Sequence, residues 1–207
     1  MALKYFTTRD WIGLLSKLPG EGAYVNVPSL RTLTGLSEKT VRQACWRLSQ
    51  DGLLRPLGSG WYANSFKAPT LEEIGALLVQ PCYISLDRVL SGAGATTQPC
   101  HVLTCVTTQP TAKKETPYGS IEYRSISRDL FWGFRARRTP NGLTIFEAEP
   151  EKALLDLIYL SRKTGEPIWI DIEFGFLNGA RLEEYARRFP RSVQQAIEPL
   201  RQAQSPA

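Results

Sequence analysis

The sequence predicts an α+β fold in two parts. Residues 1–66 read as a module of three helices and a hairpin. Residues 70–207 read as a mixed α/β region with a mainly antiparallel sheet and C-terminal helices. Three observations predict this. Helical periodicity with caps and turns fills the first third of the chain. From about residue 101 to residue 148 the pattern switches to β-branched and aromatic runs split by Pro, Gly and Asn. A helical period then returns at Pro150 and holds almost to the C-terminus.

The elements follow in order. Thr7 or Thr8 caps a helix running to Leu18, with Trp11, Leu14, Leu15 and Leu18 as its apolar stripe, and Pro19-Gly20 ends it. Tyr24–Val27 reads as a short strand. A short helix starting at Ser29 stops at Gly35, which accepts the left-handed backbone angle of a helix C-terminus. Ser37 caps a longer helix over residues 38–51, Glu38 meets its positive dipole end, and Gly52 stops it. Gly58-Ser59-Gly60 reverses the chain between Leu53–Leu57 and Trp61–Ala63. Pro56 confines its strand to a sheet edge, and Trp61 and Tyr62 anchor the hairpin on the core. Helix, turn, longer helix and hairpin in that order make a winged helix-turn-helix, a DNA-binding arrangement.

Lys67-Ala68-Pro69 reads as the joint. Thr70 caps a helix over Leu71–Gln80, and a second helical segment spans Tyr83–Leu90. Strands are expected at His101–Thr107, Ser120–Ile126, Leu130–Arg137 and Leu143–Ala148, with a hairpin turn at Pro140-Asn141-Gly142. Pro150 suits the first turn of a helix that Gly165 ends after Arg162 and Lys163. Two more helices cover about Gly179–Phe189 and Arg191–Gln204; Pro199 should kink or shorten the last, and the residues after Gln202 should fray.

The longer helix of the first module carries the functional signal. At about 100° per residue, Val41, Ala44, Cys45 and Leu48 share one side. Lys39, Gln43, Trp46 and Gln50 occupy the other, with Arg42 and Arg47 at its flanks. Lys and Arg neutralise phosphates or read guanine, and Gln pairs with adenine in the major groove. Ser37 and Thr40 in the first turn, and Arg55 and Ser59 in the hairpin, complete the predicted DNA-contacting set. Trp46 fits this least readily: it can touch a thymine methyl, lie on the DNA backbone or anchor a protein interface.

Charge points the same way. Residues 1–67 hold nine basic and four acidic side chains, which is the whole net charge of +5; the remainder has 16 of each sign. A basic head on a neutral body suits a polyanion partner, double-stranded DNA, with pairing on a repeated site. Arg135, Arg137 and Arg138 form a second basic cluster, either a solvated sheet face or a second nucleic-acid or toxin surface.

Several classes are read as excluded. Without a membrane-length apolar run or a signal peptide, a cytoplasmic protein is expected. The four cysteines, Cys45, Cys82, Cys100 and Cys105, read as buried thiols. Cys100-His101-x3-Cys105 offers three of the four ligands of a closed zinc site, and only Cys82 is even loosely available as the fourth, so neither metal nor cofactor is expected. His101 is the sole histidine. No catalytic triad, phosphate-binding glycine loop or carboxylate cluster stands at usable spacing, so an enzyme is not expected.

The run Phe146-Glu-Ala-Glu-Pro-Glu-Lys-Ala-Leu-Leu-Asp-Leu-Ile-Tyr-Leu160 resembles the A-x-P-E-K-A-L-L-D-L motif of the AbiEi family. These are antitoxins of abortive-infection (phage-defence) toxin–antitoxin pairs, often described as transcriptional regulators. The N-terminal winged helix and the segment opening Tyr83-Ile-Ser-Leu-Asp-Arg-Val-Leu-Ser-Gly are similar in order and spacing, so the resemblance covers about residues 5–190. It implies a repressor that binds inverted repeats in the promoter of its own operon. It also implies a C-terminal region that counters a nucleotidyltransferase-like toxin without a stable complex. Within the motif, Pro150, Glu151, Lys152, Ala153, Leu154, Leu155, Asp156 and Leu157 read mainly as a folding element, with Lys152 and Asp156 paired along the helix. The alternative makes Glu151, Lys152 and Asp156 a surface for the toxin or its substrate. Two readings remain beside the antitoxin: a stand-alone mobile-element regulator without a toxin, and a protein-interaction module that docks through the winged helix.

Overall fold

The computed structural model describes residues 6–98, 100, 102–168 and 171–202. The chain is mixed α+β, 45% helical and 22% strand. Helix α1 (Thr8–Lys17) opens with a reciprocal cap between Thr7 and Asp10 and buries Trp11 and Leu15. Strand β1 (Tyr24–Asn26) leads directly into α2 (Val27–Thr34), because Asn26 and Ser29 cap each other and Pro28 suits the first turn. Gly35, at φ 70°, ends α2, and Ser37 caps α3 (Glu38–Gln50) by accepting from the Thr40 backbone. Strands β2 (Leu54–Gly58) and β3 (Trp61–Asn64) form the hairpin, and the sheet runs β1-β3-β2. Pro56 therefore lies on an edge strand, as its missing N–H requires. A core of Trp11, Leu15, Val25, Leu30, Val41, Cys45, Leu48 and Leu54 holds these elements together.

Beyond residue 70 come α4 (Leu71–Leu78), β4 (Cys82–Ile84), α5 (Asp87–Gly92), β5 (Leu103–Thr107), β6 (Ala112–Thr116) and β7 (Gly119–Ser125). They are followed by β8 (Phe134–Arg138), β9 (Thr144–Ala148), α6 (Pro150–Thr164), α7 (Gly179–Ala186) and α8 (Arg191–Gln202). The six strands make one mixed sheet in the order β6-β7-β5-β4-β9-β8. Pairs β4–β5, β6–β7 and β8–β9 are antiparallel; β4–β9 and β5–β7 are parallel. Ile84 pairs with Cys105 and Tyr83 with Val106, so alternate residues of β4 face opposite ways. Helix α4 covers the Cys105 face: a Cβ on Gly75 would lie 2.9 Å from Leu103 and 3.2 Å from Cys105, and the Tyr123 hydroxyl donates to the Gly75 carbonyl at 2.7 Å. Helix α6 covers the Tyr83 face.

The hairpin joins the two cores. Leu57 and Ala63 are buried in the larger core and Trp61 packs against it, whereas Tyr62 packs on the smaller one. Across the joint, Asn141 donates to the Ala68 carbonyl at 3.1 Å and to Glu73 at 2.8 Å. Gly20 sits so close to Asn141 that an added Cβ would come within 2.8 Å of its carbonyl oxygen.

The structure departs from the sequence expectations at several elements. Tyr83–Leu90 is not one helix: its start is β4, buried at all three residues, and the helix begins only at Asp87. A central strand covered on both faces loses the alternating pattern that marks strands. Strand β6, with sequence AKKET, escaped the reading because it is a polar edge strand of low β-propensity. Leu130 belongs to a 3-10 turn over Arg128–Leu130, and its strand starts at Phe134. The helix expected to start at Ser29 starts at Val27, and the last helix runs unbroken through Pro199 to Gln202. The expected fraying after Gln202 and any role for His101 fall outside the described residues.

Candidate nucleic-acid interface

The α3 residues divide by face. Val41, Cys45 and Leu48 are fully buried and Ala44 nearly so. Lys39, Gln43, Trp46 and Gln50 are exposed, within a stripe about 60° wide. Burial lifts the Cys45 thiol to about 11, so it packs as a small neutral apolar group. Short local signals fix this helix: the Ser37 cap, the Gly35 turn before it and the Gly52 turn after it.

The cations on α3 are not equivalent. Arg42 binds Glu38 one turn earlier at 2.7 Å, and Arg31 of α2 approaches the same carboxylate at 3.3 Å. The Arg42 guanidinium holds the Glu38 carboxyl below the usual carboxylate range. Arg42 is thus half neutralised, although such an exposed pair costs little to exchange for phosphate. Lys39, Arg47 and Arg55 have no acidic partner among the described residues. Arg47 is partly buried, and its Nε lacks a hydrogen-bond partner. Ser37 and Thr40 share a hydroxyl–hydroxyl bond of 2.8 Å at the helix start, both exposed. On the hairpin, Arg55 and Ser59 are exposed, and Ser59 takes a φ of 51° at the tip between Gly58 and Gly60.

Beside this stripe lies a hollow of about 520 Å³ lined by Phe6, Trp11, Leu36, Thr40, Gln43, Ala44, Trp46 and Arg47. A larger cavity, about 590 Å³, opens near the starts of β4 and β9 among Phe131, Phe134 and Phe146. No charged group lines it, so it offers a polyanion nothing.

The second basic cluster is largely compensated. On β8, Arg135 pairs with Glu149 and Arg137 with Glu147 at 2.6 Å. Arg181 of α7 lies 3.6 Å from both Glu149 and Glu151. Arg138 alone of the three strand arginines has no acidic partner among the described residues.

The PEKALLDL motif lies inside. Glu151 is 3% exposed, and Lys152 and Asp156 are 0% exposed, which overturns the reading of these three as a contact surface. Glu151 accepts from the Asn178 backbone at 2.7 Å and so ties α6 to the start of α7. Lys152 binds Asp156 and donates to the Tyr83 hydroxyl at 2.8 Å. Tyr83 and Ser85 donate to Asp156 at 2.9 and 3.0 Å. The rings of Tyr83, Trp132 and Phe189 lie 5.2–5.4 Å from the ammonium. Burial pushes the lysine down and the aspartate up from their ordinary values, and each opposes the other's shift. Sequence reasoning placed Lys152 and Asp156 together and set Tyr83 and Ser85 in a separate element of the family resemblance, but nothing in the sequence joins two segments about 70 residues apart.

The chain matches no family model and no curated protein. Among the described residues no helix is long and apolar enough to cross a membrane, and no group of three or more His, Cys, Asp or Glu is placed to hold a metal ion.

Proposed function

We propose that this chain is a sequence-specific DNA-binding transcriptional repressor whose N-terminal winged helix-turn-helix inserts α3 into the major groove. One observation carries the reading: a solvent-facing stripe of Lys39, Gln43, Trp46 and Gln50 on a helix whose opposite side is wholly buried. Lys39 and Arg47 supply charge for phosphate or guanine, and Gln43 and Gln50 supply amides for adenine. Arg55 reaches the backbone or minor groove from strand β2 and Ser59 from the hairpin tip, and Arg42 joins them by exchanging Glu38 for phosphate. Operators would be inverted repeats upstream of its own gene, bound in the cytoplasm by paired copies.

The antitoxin role rests on the likeness of residues 146–160 to the AbiEi motif. In this reading the motif builds the larger core, and a nucleotidyltransferase-like toxin is countered without contact to Glu151, Lys152 or Asp156, which are buried. Growth rescue in cells expressing such a toxin from the neighbouring gene tests this arm separately.

The DNA arm is tested by replacing Lys39, Gln43 and Arg47 with Ala together. Binding to the DNA upstream of the gene should fall at least about 100-fold, since each groove contact carries about 1–3 kcal/mol. The melting temperature should hold. Undiminished binding by the folded variant would overturn the proposal and favour a protein-docking role for this face.

A further inference from the structure

Trp46 is 68% exposed at one edge of the polar stripe and makes no ring contact among the described residues. The other exposed large apolar side chains, Ile12, Leu33, Phe66, Phe146 and Phe176, all lie on other elements. Among the described residues Trp46 is therefore the one exposed large apolar side chain on α3. Its surroundings are groups that read DNA: Gln43 one turn earlier, Lys39 and Gln50 in line with it, and Arg47 beside it. The hollow next to it has an apolar floor of Trp11, Leu36 and Ala44 under a polar rim of Thr40 and Gln43.

A helix laid in the major groove meets one apolar group on the base edges, the C5-methyl of thymine. Gln43 is matched to adenine, the partner of thymine in the same base pair. We infer that Trp46 and the adjoining hollow form a thymine-methyl reader, so that the preferred duplex carries an A·T pair under the Gln43–Trp46 turn of α3. The inference rests on the DNA-binding reading and names what that site selects. Trp46 is then a specificity-determining residue: Gln43 fixes the adenine edge, and the indole and hollow shield the methyl from water.

The test begins with full-length protein and duplexes selected from a randomised pool. In the winning site each thymine is replaced, one position at a time, by deoxyuridine, which removes the methyl and leaves the pairing intact. At one position per bound copy the wild-type protein should weaken about fourfold, the factor for one methyl-sized group taken from water. Trp46→Ala should bind thymine and uracil versions equally, with an unchanged melting temperature because the side chain is on the surface. Trp46→Phe should restore part of the discrimination. Equal binding of both versions by the wild-type protein at every position would overturn the inference while leaving sequence-specific binding intact. So would a Trp46→Ala protein that keeps the wild-type ratio, which would assign the indole to a partner protein. If selection enriches no sequence at all, the DNA-binding reading itself fails.

Discussion

Two helices of this protein carry oppositely charged residues four apart, and the two pairs live in different worlds. On α3, Glu38 and Arg42 meet at 2.7 Å in full solvent. On α6, Lys152 and Asp156 meet with neither side chain exposed at all. Spacing brings each pair together equally well. What differs is the cost of the charges: water solvates the first pair, whereas the second depends on Tyr83 and Ser85 for the bonds that water would have made. One pair trims the charge of a solvent-facing helix surface; the other welds α6 to the central strand β4.

The largest effect expected from this contrast follows removal of one buried partner. Lys152→Ala leaves Asp156 without its counter-charge inside the protein and should destabilise the fold by about 3–5 kcal/mol in urea unfolding. A loss below about 1 kcal/mol would break the comparison. Replacing both members, Lys152→Met with Asp156→Leu, should recover at least half of that loss, because no lone charge then remains buried. If the double variant were as unstable as the single, packing or the orphaned Tyr83 and Ser85 hydroxyls would outweigh charge.

A smaller effect is expected at the α3 cap. Ser37→Ala removes the acceptor for the Thr40 N–H and should cost about 1 kcal/mol, visible as a lower urea midpoint with an unchanged slope. DNA binding by the still-folded fraction should weaken far less than on loss of the Lys39, Gln43 and Arg47 side chains, because Ser37 offers at most one hydroxyl contact.

The smallest change in stability belongs to Glu38→Gln. It releases Arg42 and Arg31, so DNA affinity should rise severalfold and fall more steeply with salt. The melting temperature at neutral pH should stay nearly fixed. The pH dependence has a definite sign. The Glu38 carboxyl in the folded chain titrates below its ordinary value of 4.5, so the pair's contribution is complete above that pH and fades as the pH drops through the lower folded value. Any difference in melting between wild type and Glu38→Gln should therefore vanish in acid and be constant from pH 5 to 7. A difference that grew in acid would reverse the assignment.

Legibility followed the range of the interactions involved. The caps at Thr7, Ser37 and Thr70, the left-handed Gly35 and Gly165, and the inward side of α3 all stand where the sequence put them. Each depends on residues within about one turn. Strand β4 was misread as helix because burial on both faces removes the alternation that marks a strand. Strand β6 was overlooked because Lys113, Lys114 and Glu115 suit an exposed edge rather than a core. Of the candidate DNA-facing residues, exposure follows from the period alone, and the restraint of Arg42 by Glu38 follows from their spacing of four. The hollow beside Trp46 was not readable, since Trp11 arrives from α1 and Phe6 from the segment just before it.

The sequence by itself determined which side of α3 faces water, because a 3.6-residue period and a capping serine act within a few residues of the backbone they organise. Only the tertiary structure decided that the PEKALLDL charges lie inside, that Tyr83 and Ser85 complete them, and that the hairpin bridges both cores. Those outcomes depend on segments tens of residues apart arriving at one place. There the local dielectric, rather than local spacing, sets what a charge is worth.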